Sequence, residues 1–185
     1  MKKVLIISYY WPPSSGSGVQ RWLKFAKYLQ EYNWKPIIYT PENPYLEIKD
    51  LRLLDDIPKN IQVWKNNIWE PYRIKDLLFG NENKNQSSGL IMNRKSLKNR
   101  FLNWFRGNIF IPDPKVYWVK PSIKFLKKRI QEEGIQHIVT TGPPHSMHLI
   151  GLGLKKKLKK LKWVADFRDP WSGLDLLDEF HLTSF

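Results

Sequence analysis

The chain has 185 residues, with 31 lysines and arginines against 17 aspartates and glutamates, a net charge of +14, 42% hydrophobic residues and no cysteine. These figures exclude a disordered chain, a disulfide framework and a thiolate metal site, and leave room for one sizeable core. The charge calls for an anionic counterpart: nucleic acid, lipid headgroups or a phosphate-bearing substrate.

The opening stretch, MKKVLIISYYWPP, imitates the start of a signal peptide, but its apolar run stops early and no small-residue cleavage site precedes the prolines. No stretch reaches the roughly 20 apolar residues that a membrane-spanning helix needs. A cytoplasmic protein is expected. Val4-Leu5-Ile6-Ile7 is a continuous apolar run, the pattern of a strand buried on both faces. After the glycine turn, Val19, Trp22, Leu23, Ala26 and Leu29 recur at helical spacing. Pro36 to Thr40 reads as a second strand closed by Pro41, Leu46 to Leu54 as a short helix, and Ile61 to Trp64 as a third strand.

Residues 66–117 interrupt this alternation and read as a basic, aromatic insertion. Asn81 to Gly89 is polar and loop-like. Between Asn83 and Pro112 there is no acid, and Leu97, Phe101, Trp104 and Phe105 share a helical face. Lys98 with Phe101, Trp104 and Phe105 is therefore a candidate membrane-facing set. An ordinary amphipathic helix packed on the domain would show the same periodicity.

Val119, Ile123, Leu126 and Ile130 then mark a helix face, with Gly134 as its stop. His137 to Thr140 is a strand; Met147, Ile150, Leu154, Leu158 and Leu161 mark another helix face. Trp163 to Ala165 is a last strand running into Asp166. Strands alternating with helices predict an α/β, Rossmann-like doubly wound parallel sheet, with ligands at the carboxyl ends of its strands.

The unusual chemistry sits in three loops that such a sheet would open on one edge. In the first, Gly16 and Gly18 around Ser17 can bring backbone N–H groups and a helix N-terminus to an anion such as a diphosphate. Arg21 stands where the dinucleotide fingerprint has its third glycine, so a tight turn without ligand is the alternative. Gln20 and Arg21 are either added donors or solvent-facing. The second loop, Thr141 to Ser146, places His145 and His148 three apart on a first helical turn, with Ser146 as a contact for a hydroxyl or phosphate. No third ligand of matching spacing stands nearby, so no metal is expected. The third loop alternates Asp166, Arg168 and Asp169: Arg168 is expected to pair with one aspartate and leave the other facing the cleft, where it can bind sugar hydroxyls or act as a base. No Gly-x-Ser-x-Gly nucleophile elbow occurs.

The stretches YYWPPSSGSGVQRWLKFAKYL, TTGPPHSMHLIGLGLKK and WVADFRDPW together resemble the N-terminal domain of bacterial glycosyltransferases of family four, over most of the chain and in the same order. The resemblance implies one half of a GT-B fold, in a retaining enzyme that moves a sugar from a nucleotide sugar to a cell-envelope or lipid-linked glycan. It implies residues 1–170 as the acceptor-side domain, 171–185 as the start of a further segment, and a nucleotide-sugar-binding half with paired glutamates beyond this chain, which alone would be inactive. Gly16 to Gly18 would approach the donor diphosphate. His145, His148, Asp166 and Asp169 would line the acceptor side, with Asp166, Asp169 and His148 as the candidates for a catalytic role. The domain would hold no cofactor of its own. The competing reading is a basic module without catalysis that docks on anionic membrane or nucleic acid. Nucleic acid is the weaker choice, because runs such as Lys155-Lys156-Lys157 fall on a helix's solvent face.

Overall fold

The computed structural model describes residues 1–46, 48–69 and 111–169. Five strands form its sheet: β1 (Lys2–Ile7), β2 (Trp34–Pro41), β3 (Gln62–Asn66), β4 (His137–Gly142) and β5 (Lys162–Phe167). Three α-helices accompany them: α1 (Ser17–Tyr28), α2 (Val119–Glu132) and α3 (Ser146–Lys157). Two 3-10 turns, Leu51–Leu54 and Pro114–Trp118, complete the described elements.

The strand order is β3-β2-β1-β4-β5 and every neighbouring pair is parallel. The chain begins at the centre, steps outward through β2 and β3, then returns to the other side for β4 and β5. This is the Rossmann-like α/β sheet expected from the alternating pattern. Its switch point lies between β1 and β4, the place where sheets of this kind take ligands beyond the strand carboxyl ends.

Two cores explain why the strands read as unbroken apolar runs. Leu5, Ile7, Ile37, Tyr39 and Ile138 point to one face, where Leu126 and Ile130 of α2 and Met147, Ile150 and Leu154 of α3 cover them. Ile6 and Ile38 point to the other, under Val19, Trp22, Leu23 and Ala26 of α1. Tyr39 stacks on Trp118 at 4.8 Å and donates its hydroxyl proton to Ser122 Oγ at 2.9 Å. Burial pushes the Tyr39 phenol up to about 12.

Several expectations shift. The helix expected over Leu46 to Leu54 shrinks to the 3-10 turn Leu51–Leu54, which Asp50 caps by accepting from Arg52 N–H. Ser122 is the fully buried residue of its turn in α2, while Ile123 is half-buried and packs toward Gly153. Gly134 ends α2 at φ 64°, as expected of a left-handed stop. The last residues assigned to the insertion do not stand apart: Lys115 is buried, and Val116 packs on the α2–α3 core. The expected loop at Asn81–Gly89, the candidate membrane set Lys98, Phe101, Trp104 and Phe105, and residues 171–185 lie outside the described residues. Among the described residues no helix is long and apolar enough to cross a membrane.

Candidate functional site

The β1–α1 loop is braced from outside. Ser14 bridges antiparallel to Lys49, Ser15 N–H donates to the Ile48 carbonyl at 3.2 Å, and Asp50 N–H donates to the Pro13 carbonyl at 2.8 Å. Of the three aromatics at the strand end, Tyr9 and Trp11 are buried in opposite cores and only Tyr10 reaches solvent. Tyr9 and Trp11 pack the strand end. Gly16 then turns the chain at φ 121°, which needs glycine. Helix α1 follows with no side chain capping its first amides and no acid in its first turn. Its positive end is thus open toward the rim.

Against that helix end lies Arg168. A Cβ on Gly18 would run into its guanidinium, so the glycine is what lets the two approach. Arg168 also donates from Nη2 to Asp169 Oδ2 at 2.9 Å. That hydrogen bond holds the Asp169 carboxyl below its ordinary range. The expected pairing of Arg168 with one aspartate is therefore with its sequence neighbour.

Asp166 does not face the cleft free. Arg21 clamps both its oxygens, Nη1 to Oδ2 at 3.0 Å and Nη2 to Oδ1 at 2.9 Å, and Thr141 Oγ1 donates to Oδ2 at 2.9 Å. Arg21 is accordingly not a spare donor: its guanidinium is engaged although its side chain is partly exposed, while Gln20 and Ser17 are exposed. The reason is topological. Thr141 and Asp166 are register partners on β4 and β5, and Arg21 reaches them from the first turns of α1. One carboxylate thereby ties together all three elements of the rim.

The β4–α3 loop puts His145 at the N-cap of α3 and His148 in its first turn, with ring centroids 5.9 Å apart. Phe167 stacks on His148 at 4.0 Å and on His145 at 6.0 Å. Gly142 makes room here: a Cβ on it would sit 2.8 Å from His148 Nε2 and 3.0 Å from His145 Nδ1. Thr140 Oγ1 accepts from Trp163 Nε1–H at 2.9 Å and shares a hydrogen bond with His148 Nδ1, also at 2.9 Å. The other ring nitrogen, His148 Nε2, is a buried atom without a hydrogen-bond partner. Burial, reinforced by the His145 charge and opposed by Asp166, brings His148 down to about 4. Burial also lowers His145, against the pull of Asp113 and Asp169. Both rings are neutral near pH 7.

Ser146 is not available to a ligand. Its N–H and Oγ–H both donate to the carboxylate of Asp113 at 2.8 Å, and the same carboxylate accepts from Lys115 N–H at 2.8 Å. The amino end of α3 is thus closed by an acid from 33 positions earlier, while that of α1 stays open. Asp113 was missed in the sequence, although an aspartate directly before Pro114 is a cap signature. Thr140, Trp163 and Phe167, which set the His148 ring, were missed too; nothing local marks them.

The structure therefore brings Gly16, Gly18, Arg21, Asp166 and Arg168 to one rim, with Thr141 joining β4 to it and His145, His148 and Phe167 adjoining. A groove of about 360 Å³ lies instead at the opposite, amino edge, between Ile130, Ile135, Leu158 and Lys160, away from all of this chemistry. Among the described residues no cluster of His, Asp and Glu is arranged to hold a metal ion. No family model and no curated protein matches the chain. Among solved structures it is similar to two crystal structures of the C-terminal domain of a hydrogenase from Pyrococcus furiosus. One has 14% identity and a TM-score of 0.45, over 90% of this chain and 91% of that one. The other has 13% identity and a TM-score of 0.42, over 89% and 90%. Likeness at that level carries nothing about activity.

Proposed function

We propose that this domain is the acceptor-side half of a retaining glycosyltransferase, moving a sugar from a nucleotide sugar to a cell-envelope or lipid-linked glycan. The observation that carries the reading is the open amino end of α1 with the Arg168 guanidinium held against Gly18. Free amides, a helix dipole and a planar fork of donors suit the oxygens of a donor diphosphate. Phe167, 51% exposed over the buried imidazoles, offers an aromatic face, which suits a sugar ring. Asp166 is a brace and no base, because both its oxygens are taken. No general base is assigned, and the chain by itself is expected to transfer no sugar.

Calorimetric titration with a nucleoside diphosphate, and with the matching monophosphate as control, tests the reading. The diphosphate should bind more tightly, and Arg168→Ala should weaken it about tenfold or more while the fold persists. Equal affinity for the two nucleotides, or no effect of Arg168→Ala, would count against it. Within the run Lys155-Lys156-Lys157, the Lys155 ammonium donates to the Lys159 and Leu161 carbonyls at 2.9 and 2.7 Å. That lysine closes the end of α3 and is not part of a free basic run.

A further inference from the structure

We propose that the outward face of α1, with the turn that follows it, is a docking surface for an anionic lipid bilayer. Phe25, Tyr28 and Tyr32 follow one another at steps of three and four and are 44%, 46% and 76% exposed. They are not surplus core, because α1 already buries Val19, Trp22, Leu23 and Ala26 on its other side. Lys24 and Lys27 are exposed beside the rings, and Lys27 Nζ lies 5.9 Å from the Tyr28 ring centre. Between Ser17 and Lys35 the bases are Arg21, Lys24, Lys27 and Lys35, and the single acid is Glu31. Asp166 neutralises Arg21, so Lys24 and Lys27 remain to meet an external negative charge.

Charge and shape together select the occupant. Rings at this spacing with lysines flanking them match a headgroup layer, where aromatics sit at the polar boundary and lysine stems snorkel outward. The surface is a convex helix with no groove to track a phosphodiester backbone, so a flat interface fits it better than a nucleic-acid strand. The surface stands apart from the rim, and the inference does not depend on the transferase reading. Because α1 has 12 residues, about 18 Å of helix separates its two ends, and docking along it would hold the rim beside the bilayer.

Vesicle co-sedimentation tests this with the whole chain, using phosphatidylglycerol-containing vesicles against pure phosphatidylcholine. Wild type should bind the anionic vesicles and lose them as salt rises. Phe25→Ser/Tyr28→Ser/Tyr32→Ser, checked for fold by circular dichroism, should cut partitioning about tenfold or more. Lys24→Gln/Lys27→Gln, which leaves every ring in place, should do likewise. Equal binding to neutral vesicles, or wild-type binding by the lysine variant, would overturn the proposal. So would polyuridylate binding through the same residues without vesicle binding.

Discussion

Arg21 on α1 holds Asp166 on β5 by two near-parallel hydrogen bonds of 2.9 and 3.0 Å, across 145 positions of sequence. With Thr141 on the same carboxylate, this contact turns three separate loops into a single rim.

The pair should show an asymmetry on truncation. The Arg21 side chain is 38% exposed, so solvent screens it and Arg21→Ala should cost only about 1 kcal/mol. Asp166→Ala strands both Arg21 and Thr141 and should cost about 2 kcal/mol. Arg21→Lys should not restore the loss, since an ammonium cannot span both oxygens. Urea unfolding reads all three; a smaller loss for Asp166→Ala than for Arg21→Ala would contradict the arrangement.

His148 should make stability pH-dependent in a defined window. Its folded value of about 4 lies below the ordinary imidazole value of 6.5, so in that interval the unfolded chain binds more protons. The neutral ring's contribution is therefore complete above pH 6.5 and falls away as pH drops toward 4, by about 3 kcal/mol in all. Proton NMR of the His148 C2–H should show a midpoint near 4; one at or above 6.5 would refute the burial account.

Two glycines should respond oppositely to alanine. At Gly151 a methyl would strike the Trp163 indole and come within 2.9 Å of Thr140 Cγ2, inside a packed interface, at a cost of about 1–3 kcal/mol. At Gly18 it would meet only the end of the Arg168 side chain, which can swing away. Gly18→Ala should therefore leave stability unchanged or slightly raised, because alanine favours helix. It should nevertheless impair diphosphate binding. Thermal melts paired with nucleotide titration separate the two effects.

Asp113→Ala removes one carboxylate from three donors and exposes the amino end of α3. A loss of about 1–3 kcal/mol is expected, with Asp113→Asn recovering part of it through its carbonyl oxygen. Hydrogen exchange at Ser146 should accelerate in Asp113→Ala; unchanged exchange there would argue against the cap.

Much of this fold was legible because its signals are local. Runs such as Val4–Ile7 and the stepping of Val19, Trp22 and Ala26 record burial directly in residue type. The convergence of the loops also followed, since parallel strands open their carboxyl ends together. What each polar side chain does there was not legible. Arg168 pairs with its neighbour Asp169, which proximity suggests, but Arg21 finds Asp166 and Asp113 finds Ser146 only after the sheet has formed. Two residues read as ligand contacts, Arg21 and Ser146, proved to be satisfied internally for that reason. Of the strongest aromatic run, Tyr9 and Trp11 turned out to be core, one on each side of the sheet, because the chain turns beyond the end of β1 and leaves strand alternation there.

The central claim is that the α1 end of the rim takes phosphate. Backbone amide mapping by NMR during titration with inorganic pyrophosphate addresses it most directly. The largest shifts should fall on Ser17 and Gly18 and on the Arg168 side chain, and Arg168→Ala should abolish saturation. Shifts confined to the amino edge around Lys159 and Lys160, with Ser17 and Gly18 silent, would contradict the account.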